Sequence, residues 1–131
     1  MKKILIVEDN TEIRENATEI LELDGYVVVT AVDGAEGLKL AISENPHLIL
    51  CDVRMPQMSG SELLDELKKN FATKDIPFLF FTASAEKSEI QKGLESGAFD
   101  YIVKPFDPDH LVNVIRGKIG GAETGSFSTN S

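Results

Sequence analysis

Short apolar runs alternate along the chain with longer stretches in which apolar residues recur every three or four positions. The runs Ile4 to Val7, Tyr26 to Ala31, Leu48 to Cys51, Phe78 to Phe81 and Tyr101 to Val103 are too short for helices and read as strands. Their apolarity is continuous rather than alternating, which predicts burial on both faces of a sheet. Between the first two runs, Ile13, Ala17, Ile20 and Leu21 fall at helical spacing, with Asn10 or Thr11 as cap and Gly25 as stop. Ala35, Leu38, Ala41 and Ile42 repeat that spacing after Asp33-Gly34, and Leu63, Leu64, Leu67 and Phe71 repeat it after Ser59-Gly60. Glu86 to Ala98 predicts a fourth helix, but its stripe of Ile90, Leu94 and Ala98 is narrow, so it is the helix expected to pack most thinly and to move. Leu111, Val112, Ile115 and Ile119 predict a fifth, entered near Pro108 or Asp109.

Strict alternation of strand and helix predicts right-handed crossovers and a parallel sheet covered on both faces. The expected fold is therefore a doubly wound, five-stranded, flavodoxin-like α/β domain with strand order 2-1-3-4-5. A chain of 131 residues, 42% hydrophobic and 27% charged, suits one such domain, placed here at 1–119. From Gly117 onward the composition shifts to Gly, Ser and Thr, and 120–131 reads as a flexible C-terminal tail or a truncated linker.

The net charge of -9 argues against direct nucleic-acid binding, which draws on clustered Lys and Arg. No run approaches the roughly 18 apolar residues of a membrane span, and the run after Lys2-Lys3 is too short for a signal peptide, so a cytoplasmic protein without membrane contact is expected. Cys51 stands alone, which excludes an intramolecular disulfide and a cysteine metal site, and it reads as a buried strand residue. His47 and His110 lie away from any acidic strand end and read as structural, while Met55 and Met58 read as gap-fillers.

In open α/β sheets, ligands sit beyond the carboxyl ends of the strands. Here strand one ends in Glu8-Asp9, strand three in Asp52, strand four in Thr82 and strand five in Lys104. Any one of these is ordinarily a solvated strand-end side chain; four strand ends converging on one chemistry are not. Two like charges 4 Å apart repel by about 4 kcal/mol at an effective dielectric near 20, so three carboxylates call for a cation. Oxygen ligands alone favour Mg²⁺ or Mn²⁺ over zinc. A carboxylate beside Mg²⁺ can itself be the nucleophile and form an aspartyl phosphate, and Asp52 is the central candidate.

The segments Ile4-Leu5-Ile6-Val7-Glu8-Asp9-Asn10, Leu48-Ile49-Leu50-Cys51-Asp52-Val53-Arg54-Met55-Pro56, Phe80-Phe81-Thr82-Ala83 and Tyr101-Ile102-Val103-Lys104-Pro105-Phe106 resemble the receiver domains of response regulators. The likeness runs from about Lys2 to Ile119, and includes Gly60 and the pair Gly97-Ala98. It implies that Asp52 accepts phosphate from a histidine kinase or histidine phosphotransfer protein. It also implies that Asp9, Asp52 and the Arg54 carbonyl bind Mg²⁺ with Glu8 acting through water, and that Thr82, Lys104 and the Ala83 N–H hold the phosphoryl oxygens. Lys104-Pro105 matches the family's cis peptide, and Tyr101 its switch aromatic, coupled to Thr82; the plainer alternative for Tyr101 is a strand aromatic with its hydroxyl in water. Arg54 and Ser84 stand at positions that tune phosphate lifetime, and Arg54 is expected to slow self-hydrolysis unless it merely points to solvent.

The resemblance implies output by protein contact, through the face of the fourth predicted helix, fifth strand and fifth predicted helix, which also offers a surface for a homodimer. Its chemistry is self-catalysed phosphorylation and dephosphorylation rather than turnover of a separate substrate. Three other readings compete. A flavin mononucleotide carrier on this fold wants a Ser/Thr/Gly-rich phosphate loop where Glu8-Asp9 stands. An aspartate-nucleophile phosphohydrolase wants Asp-x-Asp, and Arg54 occupies the second position. The runner-up is a receiver working by protein contact alone, without phosphorylation, against which the full set Asp9, Asp52, Thr82 and Lys104 speaks.

Overall fold

The computed structural model describes residues 1–82, 91, 94–95, 97–98, 100–104 and 106–121. Five strands, β1 (Lys3–Val7), β2 (Val27–Ala31), β3 (Leu48–Asp52), β4 (Phe78–Thr82) and β5 (Asp100–Val103), form one parallel sheet in the order β2-β1-β3-β4-β5. Four helices are delimited among the described residues: α1 (Thr11–Leu23), α2 (Gly34–Glu44), α3 (Gly60–Lys69) and α4 (Pro108–Ile119), the last being the fifth of the sequence reading. Of the predicted helix over Glu86 to Ala98, Gln91, Leu94 and Glu95 are helical and Ala98 is buried, while Ile90 and the question of movement lie outside the described residues.

Alternate side chains of the central strands feed two cores. Ile4 and Ile6 of β1, Leu48 and Leu50 of β3, and Leu79 and Phe81 of β4 pack with Ala17 and Leu21 of α1 and Leu111 and Ile115 of α4. Leu5, Val7, Ile49, Cys51, Phe78 and Phe80 point the other way, to Ala41 of α2 and Leu63, Leu64 and Leu67 of α3. This two-sided burial is what makes β1, β3 and β4 uniformly apolar. The same expectation fails at β2 and β5, which are the sheet's edges and leave Val27, Tyr101 and Val103 exposed.

Helix starts are set by short polar side chains. Asn10 accepts from Ile13 N–H, Asp33 from Glu36 N–H, and Ser59 forms a reciprocal capping box with Glu62. Proline opens α4 without a side-chain cap. Five apolar expectations change, the first at Ala35, which is exposed in the opening turn of α2. Phe71 is 88% exposed, because α3 ends at Lys69 and an extended Asn70 takes the chain out of helical phase, leaving the ring under the Lys74 ammonium. Ile42 is exposed beside the buried Ala41, and in α4 it is Val114, not Val112, that joins the core. Tyr26 precedes β2 rather than opening it, yet it is buried, with its hydroxyl donating to the Gly120 carbonyl at 2.8 Å.

No described helix is long and apolar enough to cross a membrane. Helix α4 runs to Ile119, so Gly117 is helical although the compositional shift begins there; residues 122–131 lie outside the described residues.

Candidate functional site

The carboxyl ends of β1, β3, β4 and β5 bring Glu8, Asp9, Asp52, Thr82 and Lys104 to one edge of the sheet. Asp52 is the last residue of β3 and Thr82 the last of β4; the Thr82 hydroxyl side chain is buried at the level where β4 pairs with Val103. One carboxylate oxygen each from Glu8, Asp9 and Asp52 lie within 4.8 Å of one another, a spacing at which hard oxygen donors fit one small divalent cation. Glu8 and Asp52 are buried and Asp9 is exposed, so the cluster opens to solvent on the Asp9 side.

Lys104 reaches this cluster from β5. Its ammonium donates to Glu8 Oε1 at 2.7 Å, lies 3.5 Å from Asp52 Oδ1, and sits 4.9 Å over the Phe81 ring. The backbone ties the same strands, since Lys104 N–H donates to the Thr82 carbonyl at 2.7 Å. Glu8 Oε2 accepts from Asn10 N–H at 3.0 Å. Asp52 Oδ1 accepts a long hydrogen bond of 3.4 Å from Arg54 N–H.

One ammonium thus serves two buried carboxylates. Burial raises the Glu8 carboxyl above its ordinary range; the hydrogen bonds from Lys104 and Asn10 oppose this and the charge of Asp52 adds to it. Burial likewise raises Asp52, against the pull of Lys104 and the Arg54 N–H, with Asp9 adding to the rise. Cys51, fully buried behind the site, has its thiol pushed well upward by burial and by the Asp52 and Glu8 charges, and its S–H lies 3.2 Å from the Asp52 carbonyl, as suits a packing residue rather than a nucleophile.

The turn after Asp52 is shaped by glycine. A Cβ at Gly60 would lie 2.3 Å from the Asp52 carbonyl oxygen and 3.1 Å from the Phe80 ring, so only glycine lets α3 start against the strand end. Within that turn Gln57 adopts φ 70°, Met55 and Met58 pack on the α2–α3 core, and the Arg54 side chain is exposed.

A scan of family models matches residues 4–116 to the response regulator receiver domain. The chain belongs to that family. Among curated relatives, this receiver is 42% identical to a probable transcriptional regulator of Cyanophora paradoxa, over 99% of this chain and 53% of the relative. It is also 42% identical to the phosphate regulon transcriptional regulatory protein PhoB of Pseudomonas aeruginosa, over 85% of this chain and 48% of that protein. The receiver therefore spans about half the length of these regulators. Among solved structures, chemotaxis protein CheY4 of Vibrio cholerae superposes with a TM-score of 0.86 at 34% identity, covering 90% of this chain and 98% of the other. The receiver domain of a Pseudomonas aeruginosa sensor histidine kinase, solved with magnesium in its active-site cleft, superposes with a TM-score of 0.84 at 28% identity, covering 92% of this chain and 98% of that one.

Of the residues singled out from sequence, Glu8, Asp9, Asp52, Thr82 and Lys104 meet at this edge, and Arg54 borders it. Ala83, Ser84 and Pro105, with the expected backbone donor, tuning position and cis peptide, lie outside the described residues. Tyr101 is 37% exposed and lines an open groove of about 370 Å³ with Asp100, Val103, Phe106, His110 and Val114. His47 accepts from the Lys3 N–H through Nδ1 at 3.0 Å, at the opposite end of the sheet from the acids.

The sequence reading missed two things. It gave Glu8 to the metal and Lys104 to phosphate without seeing that they pair with each other. It also passed over Arg14, whose guanidinium donates to the Glu8 carbonyl at 2.9 Å. An arginine in the opening turns of the helix that follows the acidic pair was the available signal.

Proposed function

We propose that this receiver accepts a phosphoryl group on Asp52 from a histidine kinase or a histidine phosphotransfer protein and passes the change to a downstream protein. The observation that carries the reading is the Asp52 carboxylate, buried at a strand end within one cation's reach of Glu8 and Asp9 and 3.5 Å from the Lys104 ammonium. In the transfer, an Asp52 oxygen attacks phosphorus, the P–N bond to the donor imidazole breaks and its electron pair stays on that nitrogen, the proton already carried by the other ring nitrogen making the leaving group a neutral imidazole. Bound Mg²⁺, with Mn²⁺ as substitute, would supply charge neutralisation on the transferring group. Asp9, Asp52 and the Arg54 carbonyl would hold it, with Glu8 acting through water.

The protein's own groups do the rest. Lys104 offsets the charge arriving on Asp52, and because it already shares its ammonium between Glu8 and Asp52 it reorients little to do so. Thr82, buried at the end of β4, and the Ala83 N–H receive the phosphoryl oxygens. Tyr101 carries the switch, moving relative to the groove it lines, and that face is where the target or a second copy docks. Arg54 slows loss of the phosphate by hydrolysis. The chain is a signalling phosphoacceptor that catalyses only its own modification, and in longer relatives any nucleic-acid contact belongs to the rest of the protein.

Intact masses after incubation with acetyl phosphate, with and without Mg²⁺, test this for the parent and for Asp52→Asn. A single phosphoryl adduct that requires both Mg²⁺ and Asp52 is expected. No adduct from the folded parent under any condition overturns the phosphoacceptor reading in favour of a receiver acting by contact alone.

A further inference from the structure

Glu8 and Asp9 are consecutive, so one peptide plane joins the two acids and its orientation decides where the Asp9 carboxylate can reach. That plane lies just beyond β1, whose ladder with β3 ends at the pair Val7 and Cys51. Its carbonyl, belonging to Glu8, is taken by Arg14: Nη1 donates at 2.9 Å, while Nη2 lies 3.5 Å from Thr11 Oγ1. The other groups of Glu8 are engaged as well, its N–H with the Ala31 carbonyl at 3.0 Å and its carboxylate with Lys104 and Asn10. Asp9 is different, because its side chain is exposed and the backbone is what aims it.

Arg14 stands in the opening turns of α1, the end of a helix where a cation is disfavoured by the unpaired N–H groups. The helix dipole therefore gives no reason for a cation there. We propose that Arg14 is a positioning residue for the cation site: by gripping the Glu8 carbonyl it fixes the Glu8–Asp9 peptide and holds Asp9 ready for a divalent cation. The inference rests on the reading of the acidic cluster given above. It adds a residue that itself touches neither cation nor phosphoryl group.

Electrostatics alone makes the opposite forecast, which gives the test its power. Removing a positive charge near three carboxylates should tighten cation binding by simple Coulomb attraction, whereas losing a residue that orients a ligand should weaken it, by about 10-fold. The measurement is calorimetric titration of the folded protein with MgCl2, alongside thermal unfolding in EDTA, for the parent, Arg14→Met, Arg14→Lys and Arg116→Met. Arg14→Met should bind Mg²⁺ about 10-fold more weakly. Arg14→Lys, which keeps one donor, should recover part of that loss, and Arg116→Met, a cation removed at the far end of the molecule, should bind like the parent. If Arg14→Met does not fold, Arg14→Gln takes its place, with the same loss expected. Equal or tighter Mg²⁺ binding in the Arg14 variants overturns this inference alone. Absence of Mg²⁺ binding by the parent overturns the cation-site reading and the inference with it.

Discussion

At the carboxyl edge of the sheet, the Lys104 ammonium is shared between Glu8 and Asp52 with Asp9 close by, whereas the ion pairs described at the amino edge are one to one. There Lys3 pairs with Glu44 at 2.8 Å and the Arg116 guanidinium with Asp24 at 2.5 and 3.2 Å. Lys2 donates to the Ile119 carbonyl and Tyr26 to that of Gly120, so the end of α4, where backbone carbonyls lack helical partners, is closed by side chains distant in sequence. The one edge is matched pair by pair. The other gathers more carboxylates than the Lys104 ammonium pairs with, two of them buried, a condition that a bound cation or a proton relieves, and such mismatches gather where chemistry is done.

The largest test of this contrast is Lys104→Met. Stripping the shared ammonium leaves two buried carboxylates unpaired, and breaking a buried pair in this way costs about 3 kcal/mol. Urea denaturation without divalent cations should show that loss near neutral pH, and the loss should shrink as acid neutralises Glu8 and Asp52. A variant as stable as the parent at neutral pH would mean that the site is better hydrated than its burial implies.

Asp52→Asn should act with the opposite sign. Its carboxyl is raised by burial, so ionisation is disfavoured in the folded protein, and the amide should gain on the order of 1 kcal/mol at pH 7, limited by water on the open side of the cleft. Saturating Mg²⁺ should erase the gain by stabilising the parent. A destabilised Asp52→Asn would sink the idea of a strained edge.

The same shifts fix the pH dependence. Glu8 and Asp52 are both raised in the folded state, so on acidification the native protein takes up these protons before the unfolded chain does. Stability of the cation-free protein should therefore rise as pH falls from neutral toward the ordinary carboxylate range, and this contribution is complete below the unfolded values of 4.5 and 3.8. Asp52→Asn should flatten the slope, measured as the urea midpoint against pH.

These expectations show where sequence was a sufficient guide. Uniform apolarity placed β1, β3 and β4 at the centre, and the residue following each run is the one now found at the working edge. Edge position leaves no such mark, so the exposure of Val27 and Val103 became visible only with the strand order in hand. Phe71 misled because helical spacing continues past Lys69 in the sequence while the backbone does not. The acids were legible as a set, but their pairing was not: Lys104 and Glu8 are 96 residues apart, and no local pattern says that the ammonium meets Glu8 at 2.7 Å and Asp52 at 3.5 Å. The amino-edge contacts of Tyr26 and Arg116 also span distant segments and carry no local signal.

Smaller effects should follow at that amino edge. Tyr26→Phe removes the hydroxyl that meets the Gly120 carbonyl while keeping the buried ring, so about 1 kcal/mol should be lost. Trypsin cleavage after Lys118 should quicken at denaturant concentrations too low to open the core. Unchanged cleavage would show that Lys2 alone closes the helix end.

Arg116→Gln should have the smallest consequence. Although Arg116 grips Asp24 through two nitrogens, its side chain is 54% exposed, and an exposed pair gives back in side-chain ordering and solvent screening much of what its attraction supplies. A loss of no more than about 0.5 kcal/mol is expected, vanishing in high salt. Tyr26 lies two residues beyond Asp24 and meets the same helix end, so the double variant with Tyr26→Phe measures whether the two contacts act as one clamp. Additive losses would mean separate contacts. A double variant less damaged than the sum would mean that breaking either already frees the end of α4, so that these two contacts of the amino edge act as a unit.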